Sequence, residues 1–447
     1  MNGRADRENA RSPRQRRGSA LAACLLAACV LESGAARAQQ VGDNFVTPDL
    51  PLDYDRGRNL SVLDRPRPEY AAIGVPVGGF LLLPRIEGGF GYSDNVYAAA
   101  RERAADGFGE VNPSAQLNSN WNRNALNFDG GYHLRRYMRE SRRDEDGWNA
   151  GVAGRYDISG TLALSGDGRV RRATEPPTSA AYPSNAAEPS QYRQATGRLV
   201  AAYSAGRVKT QLSANFGSIS FDPVRTLAGA VIDQHNRDAE SNSGTARLEY
   251  ALSPDTAIFA QGSYERTVYA IDLAPGVANR DSATWRGLIG ITFDVSTKVR
   301  GAAGIGYIDR RYDSRLYGDI GGISGELRLE YFLSALTTIG LTGRRIVQDA
   351  AFINAGGLVN TSIAARIDHE LLRNLLLNAQ IAYEKDRYSG IDATLDIVRA
   401  SIGARHMATR EIGLGMIVSR DSRTARGALA GTGYGETRVI LSLAVQK

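Results

Sequence analysis

The chain has 447 residues, 43% of them apolar, and a formal net charge of +6. That apolar content excludes a disordered chain, and no run of about 18 apolar residues is present to make a membrane-crossing helix. Four of the six net positive charges belong to residues 1–38, so the rest is nearly balanced and the basic pI of 9.3 gives no ground for a nucleic-acid partner.

Residues 1–38 read as a secretory signal peptide. Arg14, Arg16 and Arg17 precede an apolar stretch from Ser19 to Leu31, and Ala36-Arg37-Ala38 is a small-x-small cleavage site. Leu26-Ala27-Ala28-Cys29 also fits a lipoprotein-processing box, which would leave a lipidated Cys29. Cys24 and Cys29 are the only cysteines, so cleavage after Ala38 leaves no disulfide and no cysteine metal site. Such a chain suits passage through an oxidising compartment while unfolded.

Residues 39–78 hold Pro48, Pro51, Pro66, Pro68 and Pro76 and show little alternation. They predict a Pro-rich extension on the periplasmic side, as a flexible leader, a docking arm or a plug.

From residue 79 to 447 the pattern changes. About eighteen segments, from 80–94 to 435–446, alternate apolar and polar residues with the period of two that a strand imposes on its side chains. The hairpin 362–384 shows the unit. Ile363, Ala365 and Ile367 share one face, and Ser362, Ala364, Arg366 and Asp368 the other. After a short polar break, Leu375, Leu377, Ala379, Ile381 and Tyr383 oppose Asn378, Gln380 and Glu384. Pro84 and Pro113 predict bulges or later starts in the first two segments.

The connections sort by length. They are long after odd segments, as in 174–190 and 222–239, and tight after even ones, as at Ala205-Gly206 and Arg373-Asn374. In an up-and-down meander all odd connections lie at one end, and short turns opposite long loops is the pattern of outer-membrane barrels. Aromatic residues fall at both ends. Trp121, Tyr156, Tyr203, Tyr250, Phe293 and Tyr331 stand near the tight turns, and Tyr137, Phe221, Tyr264, Tyr307 and Tyr383 near the long loops. These predict two aromatic girdles bracketing an apolar band. Backbone groups in lipid must all be paired, so the sheet must close. The predicted fold is therefore all-β: a transmembrane antiparallel up-and-down β-barrel of about 18 strands over 79–447, integral to the outer membrane of a Gram-negative cell. A barrel of that size leaves an aqueous channel.

Carried through the segments, the alternation turns Arg247, Arg286, Arg300, Arg328, Arg344, Arg366, Arg399 and Arg405 inward, with Glu326, Glu330 and Glu384 among the acids. Counted this way, inward basic residues outnumber acidic ones, which predicts a mild preference for anions. No catalytic, cofactor or metal residues are expected. His133, His235, His369 and His406 are scattered, and no HExxH, nucleophile elbow or P-loop occurs. Gly431-Thr432-Gly433-Tyr434-Gly435 precedes a strand rather than opening a helix, so it is no dinucleotide site.

Four stretches carry a resemblance: Leu63-Asp64-Arg65-Pro66-Arg67-Pro68-Glu69-Tyr70, Gly91-Tyr92-Ser93-Asp94-Asn95-Val96-Tyr97, Ser119-Asn120-Trp121, and Asp368-His369-Glu370-Leu371-Leu372-Arg373-Asn374. At these the chain resembles the proteobacterial outer membrane beta-barrel protein family, also called β-barrel porin 2, from about residue 61 to the C-terminus. The resemblance implies an outer-membrane barrel. It also implies association with exopolysaccharide synthesis and export, which makes glycan passage a candidate function. The last residues, Leu443-Ala444-Val445-Gln446-Lys447, depart from the aromatic ending usual in such barrels. The expected function is a porin-like channel or export conduit, for an acidic exopolysaccharide or small anions. The rival is a non-transporting surface barrel, acting as adhesin, scaffold or receptor. An outer-membrane hydrolase whose Ser, His and Asp meet only in space is the least favoured reading. Expected partners are outer-membrane lipid and lipopolysaccharide, the barrel-assembly machinery and polysaccharide-export components.

Overall fold

The computed structural model describes residues 59–447 apart from 184, 297, 351, 353 and 354. The expected signal peptide over 1–38, with Cys29, and residues 39–58 of the expected extension lie outside the described residues. Eighteen strands of 13 to 16 residues follow one another. The first six are β1 (Phe80–Ser93), β2 (Asp106–Ser119), β3 (Ala125–Tyr137), β4 (Glu145–Asp157), β5 (Leu162–Thr174) and β6 (Gln191–Ala205). Next come β7 (Val208–Phe221), β8 (Ala239–Ala251), β9 (Thr256–Tyr269), β10 (Ser282–Asp294), β11 (Val299–Tyr312) and β12 (Ile320–Ser334). The last are β13 (Thr337–Asp349), β14 (Gly357–Leu372), β15 (Leu375–Tyr388), β16 (Thr394–Met407), β17 (Ile412–Arg426) and β18 (Tyr434–Gln446).

Each strand pairs antiparallel with the next, and β1 pairs with β18 from Arg85↔Gln446 to Ser93↔Arg438. The protein is thus a closed antiparallel barrel. Neighbouring strands alternate in direction, so the ring closes antiparallel only because their number is even. The first residues of β1 run past the end of β18. There a short strand, Val75–Val77, folds back and pairs with Leu82 to Phe80, satisfying a stretch that would otherwise be an open edge.

The side chains obey the period of two around the whole wall. In β15, Ile381 and Tyr383 are exposed on the outer face, while the side chains of Glu384 and Asp386 turn inward and accept from Asn360 Nδ2, both at 2.7 Å. The exposed face is apolar and the covered one polar, the inverse of a soluble protein, because lipid is the outer solvent. Glycines let the wall thin where side chains crowd inside. The Phe259 ring packs against Gly290 and Gly304, where an added Cβ would stand 2.4 and 3.0 Å from it. The Arg247 guanidinium lies over that ring, 3.7 Å from its centre.

Two sequence expectations need correction here. Neither proline makes a bulge: β1 and β2 stay in one register through Pro84↔Ala115. The β2–β3 ladder skips Pro113 without shifting, since Val111↔Leu134 and Ser114↔Gly131 share a register. A proline lacks the N–H for a rung but leaves the strand's course intact. The bulges occur instead at the tight-turn ends of β12 and β14. Tyr137 and Phe221 do not join the outer girdle. Both are buried on the inner face, Tyr137 beside Phe108 at 5.4 Å and Phe221 beneath Arg237 at 3.8 Å. The outer ring at the long-loop end is made instead by Phe90, Tyr92, Trp148, Trp285, Tyr264, Tyr307 and Tyr383, with Tyr264 and Trp285 4.5 Å apart. At the tight-turn end Trp121, Tyr156, Tyr203 and Tyr250 are exposed, and Phe293 and Tyr331 are half-buried.

Candidate functional site: the lumen and its two mouths

The inner wall is a lattice of charged pairs set by register. Arg286 donates to Glu326 at 2.8 Å and to Ser324 Oγ at 2.8 Å. Arg300 pairs with Glu330, and its guanidinium lies 5.1 Å from the Phe332 ring centre. Arg247 donates to Glu249 at 3.2 Å and Gln261 at 3.3 Å. Arg366 binds Asp368 at 2.9 Å on its own strand. Arg399 bridges Glu384 at 2.7 Å and Asp421 at 3.4 Å. Register sets Arg344 opposite Glu326 and Arg328 opposite Thr342. Arg405 stands opposite Leu376 and Gly415 and, among the described residues, has no carboxylate within salt-bridge distance.

The inward basic surplus inferred from the sequence is not what the wall shows. Glu87, Glu110, Glu145, Asp157, Glu370, Asp421 and Glu436 also turn inward, held by Arg85, Arg135, Arg155, Arg67, Arg399 and Arg438. Asp294 joins them, accepting from Asn59. What distinguishes the signs is reach. Where a pair faces open lumen, the long guanidinium side chain stands clear and the shorter carboxylate lies against the wall. The side chains of Arg155 and Asp157 are 54% and 28% exposed, those of Arg169 and Asp129 49% and 33%, and those of Arg366 and Asp368 39% and 9%.

At the long-loop end the connections pack inward over the lumen. The loop 175–190, between β5 and β6, reaches furthest. Its root is Glu175, fully buried, which accepts from Arg237 at 2.7 and 3.1 Å and from Ser179 at 2.7 Å. Its tip meets the far side: Arg423 of β17 donates to the Thr178 carbonyl at 3.2 Å. Ala180 packs on a cluster of Tyr388, Leu395, Ala355 and Ala430. Strands β18 and β1 to β4 stand between β17 and β5 along the wall, so the loop spans a chord of the mouth. Buried Arg143 ties it to the loops beside it, donating to the Val96 carbonyl at 3.3 Å, Tyr182 at 3.3 Å and Glu145 at 2.8 Å. Nearby Tyr97 donates to Glu140 at 2.7 Å, and burial together with that carboxylate pushes its phenol up to about 12.

At the tight-turn end residues 59–79 form a strap. Asn59 donates to the Ser296 carbonyl at 2.9 Å in the β10–β11 turn. The buried Val62 backbone donates to Thr338 Oγ1 of β13 at 3.0 Å. Arg67 meets the buried Glu370 of β14 at 2.6 Å, and Arg65 and Arg373 reach the same carboxylate at 3.5 and 3.6 Å. Arg373 binds Glu69 at 2.7 Å, and Arg410 reaches the Glu69 carbonyl at 3.3 Å. The strap therefore follows the rim from β10 to β17 before entering β1. The sequence shows that these residues differ in composition. It gives no sign of where they bind, because the contacts that hold 59–69 to the rim are with residues some 235 to 341 positions away.

The family described as "Putative beta-barrel porin 2" matches residues 67–447 of this sequence. No curated protein matches the chain. Among solved structures, the outer membrane protein OpdK from Pseudomonas aeruginosa is similar at 12% identity and a TM-score of 0.43, covering 82% of this chain and 99% of its own. The copper transporter OprC is similar at 11% identity and 0.45, covering 81% and 80%. The siderophore receptor PiuA from Acinetobacter baumannii is similar at 10% and 0.45, covering 84% and 82%.

Proposed function

The chain belongs to the β-barrel porin 2 family, and on that premise we propose that its lumen is a conduit for polar, anionic solutes, either small organic acids or an acidic glycan. Membership makes it a porin-like barrel of the outer membrane. The observation that favours anions is the reach of the arginines: a passing solute meets Arg155, Arg169 and Arg366 before it meets their acids. Fixed cationic groups in a confined, low-dielectric channel raise the local anion concentration, and salt weakens the effect. Since inward charges nearly cancel in number, the expected preference is mild. Short turns face the periplasm in bacterial barrels, so the strap belongs to the periplasmic mouth and the loop 175–190 to the cell surface.

Planar-bilayer recording of the purified barrel tests this. Stepwise openings with reversal potentials displaced toward anions across a salt gradient support it. A stably inserted but silent barrel, or cation selectivity, refutes it. Replacing Arg328, Arg344 and Arg366 by Gln together should move the reversal potential toward zero.

A further inference from the structure

We infer that the outer face of β13 to β17, at the cell-surface end, is a binding site for a phosphorylated glycolipid of the outer leaflet, that is, the lipid A part of lipopolysaccharide. Arg345 projects outward there from β13, and Lys385 and Arg387 from β15, with β14 between them. Register places Arg345 opposite Thr361, Thr361 opposite Lys385, and Lys385 opposite Asp396. Arg387 is two residues further along β15, and across Thr394 stands Arg426.

Outward arginines elsewhere on this rim are neutralised by the protein. Arg266 meets Asp313 at 2.5 Å, Arg311 meets Asp309 at 2.9 Å, and Arg172 meets Asp222 at 3.1 Å. The patch on β13 to β17 is different. Among the described residues, Arg345 donates only to the Ile323 carbonyl at 3.2 Å and to Thr361 Oγ1 at 2.7 Å. Among the described residues, no carboxylate lies within salt-bridge distance of Arg345, Lys385 or Arg387. The one acid in the patch, Asp396, is taken up by Arg426 and by the Tyr383 hydroxyl, each at 2.5 Å.

Three uncompensated cations need an anion, and their surroundings say which kind. Directly below lie the exposed side chains of Ile363, Ile381 and Val398, the apolar belt that faces acyl chains. Arg345 and Lys385 are two strands apart, ~10 Å, and Lys385 and Arg387 are ~7 Å apart along one strand. That is the size of a disaccharide carrying phosphates at its ends, not of a single phosphate. A guanidinium binds phosphate through paired donors and an ammonium as a point charge, so the patch offers both modes. A ligand that satisfies charge and belt together carries phosphates on a sugar headgroup and acyl chains beneath it.

The test uses the full mature barrel refolded in detergent, so that no native lipid remains. Native mass spectrometry titrates it with bisphosphorylated hexa-acyl lipid A, with the same lipid dephosphorylated, and with phosphatidylglycerol. Lipid A should bind at least tenfold more tightly than either of the others. The Arg345→Gln, Lys385→Gln, Arg387→Gln triple variant should lose that margin, while the Arg266→Gln, Arg311→Gln double variant should keep it. Equal binding of the dephosphorylated lipid, or of phosphatidylglycerol, overturns the site, and so does an unaltered triple variant. If the triple variant does not fold, the wild-type comparison of lipid A with its dephosphorylated form still decides. Silence in the bilayer would leave this result untouched, because it bears on conduction alone.

Discussion

At the scale of single residues, side chains one position apart in the same strand should differ sharply. Ile381 points to lipid and is 56% exposed, whereas Gln380 points into the lumen beside Arg366 and Ser401. An arginine facing mid-membrane lipid costs roughly 2–4 kcal/mol. Ile381→Arg should therefore lower the urea midpoint of the folded barrel strongly, and Gln380→Arg only slightly; equal midpoints would mean that the facing is misassigned. A second residue-scale expectation concerns pH. His235, in the loop 222–238, holds Asp238 at 2.9 Å, and that hydrogen bond and charge raise its pKa above the ordinary histidine value. A raised histidine pKa contributes stability that is complete below about 6.5 and is lost as pH climbs through the folded-state value. Amide exchange in 222–238 should therefore accelerate as pH rises above neutrality, beyond the intrinsic pH dependence of exchange. In His235→Gln only the intrinsic dependence should remain. Identical exchange in both proteins at every pH would exclude the role.

At the scale of elements, the strap is the test piece. Glu370 is nearly buried and faces Arg65, Arg67 and Arg373, so Glu370→Gln leaves Arg65 and Arg67 without their carboxylate, while Glu69 still holds Arg373. Removing one member of a buried ionic group costs roughly 3–5 kcal/mol, enough to release the strap while the strands stay paired. The expected result is larger single-channel conductance and faster chymotryptic cleavage after Tyr70, with unchanged heat-modifiability. Unchanged conductance would show that the strap does not narrow the mouth. The strands themselves were readable in advance, because lipid on one side forces a period of two on residues such as Ile363, Ala365 and Ile367. Tyr137 and Phe221 misled for a physical reason. At the long-loop end the inner face meets packed loops rather than water, so an aromatic ring is as well placed there as in the girdle. Inward acids such as Glu145 and Glu370 escaped for a related reason: they sit at strand ends, where their partners come from loops and strap. No local pattern encodes the meeting of Ala180 with Tyr388 and Ala430, which only the closed ring brings together.

At the scale of the molecule, a closed eighteen-strand wall should resist detergent until heated. Unboiled protein is expected to migrate differently from boiled protein on detergent gels and to give a β-rich circular dichroism spectrum. A chain that shows neither is not this barrel. The seam between β1 and β18 carries a further consequence, for the order of assembly. Arg85 hydrogen-bonds Gln446 at 3.0 Å across 361 positions of sequence, whereas every other rung of the wall joins strands adjacent in the chain. All other pairings are local and can zip up one hairpin at a time. This one must wait until the final strand has been made and delivered. Until then β1 presents a bare edge to any β-rich neighbour, and the slow step of biogenesis falls at the end. A chain ending before Tyr434 would keep two such edges permanently, and it should accumulate as an aggregate, or stay bound to a chaperone, rather than as a smaller pore.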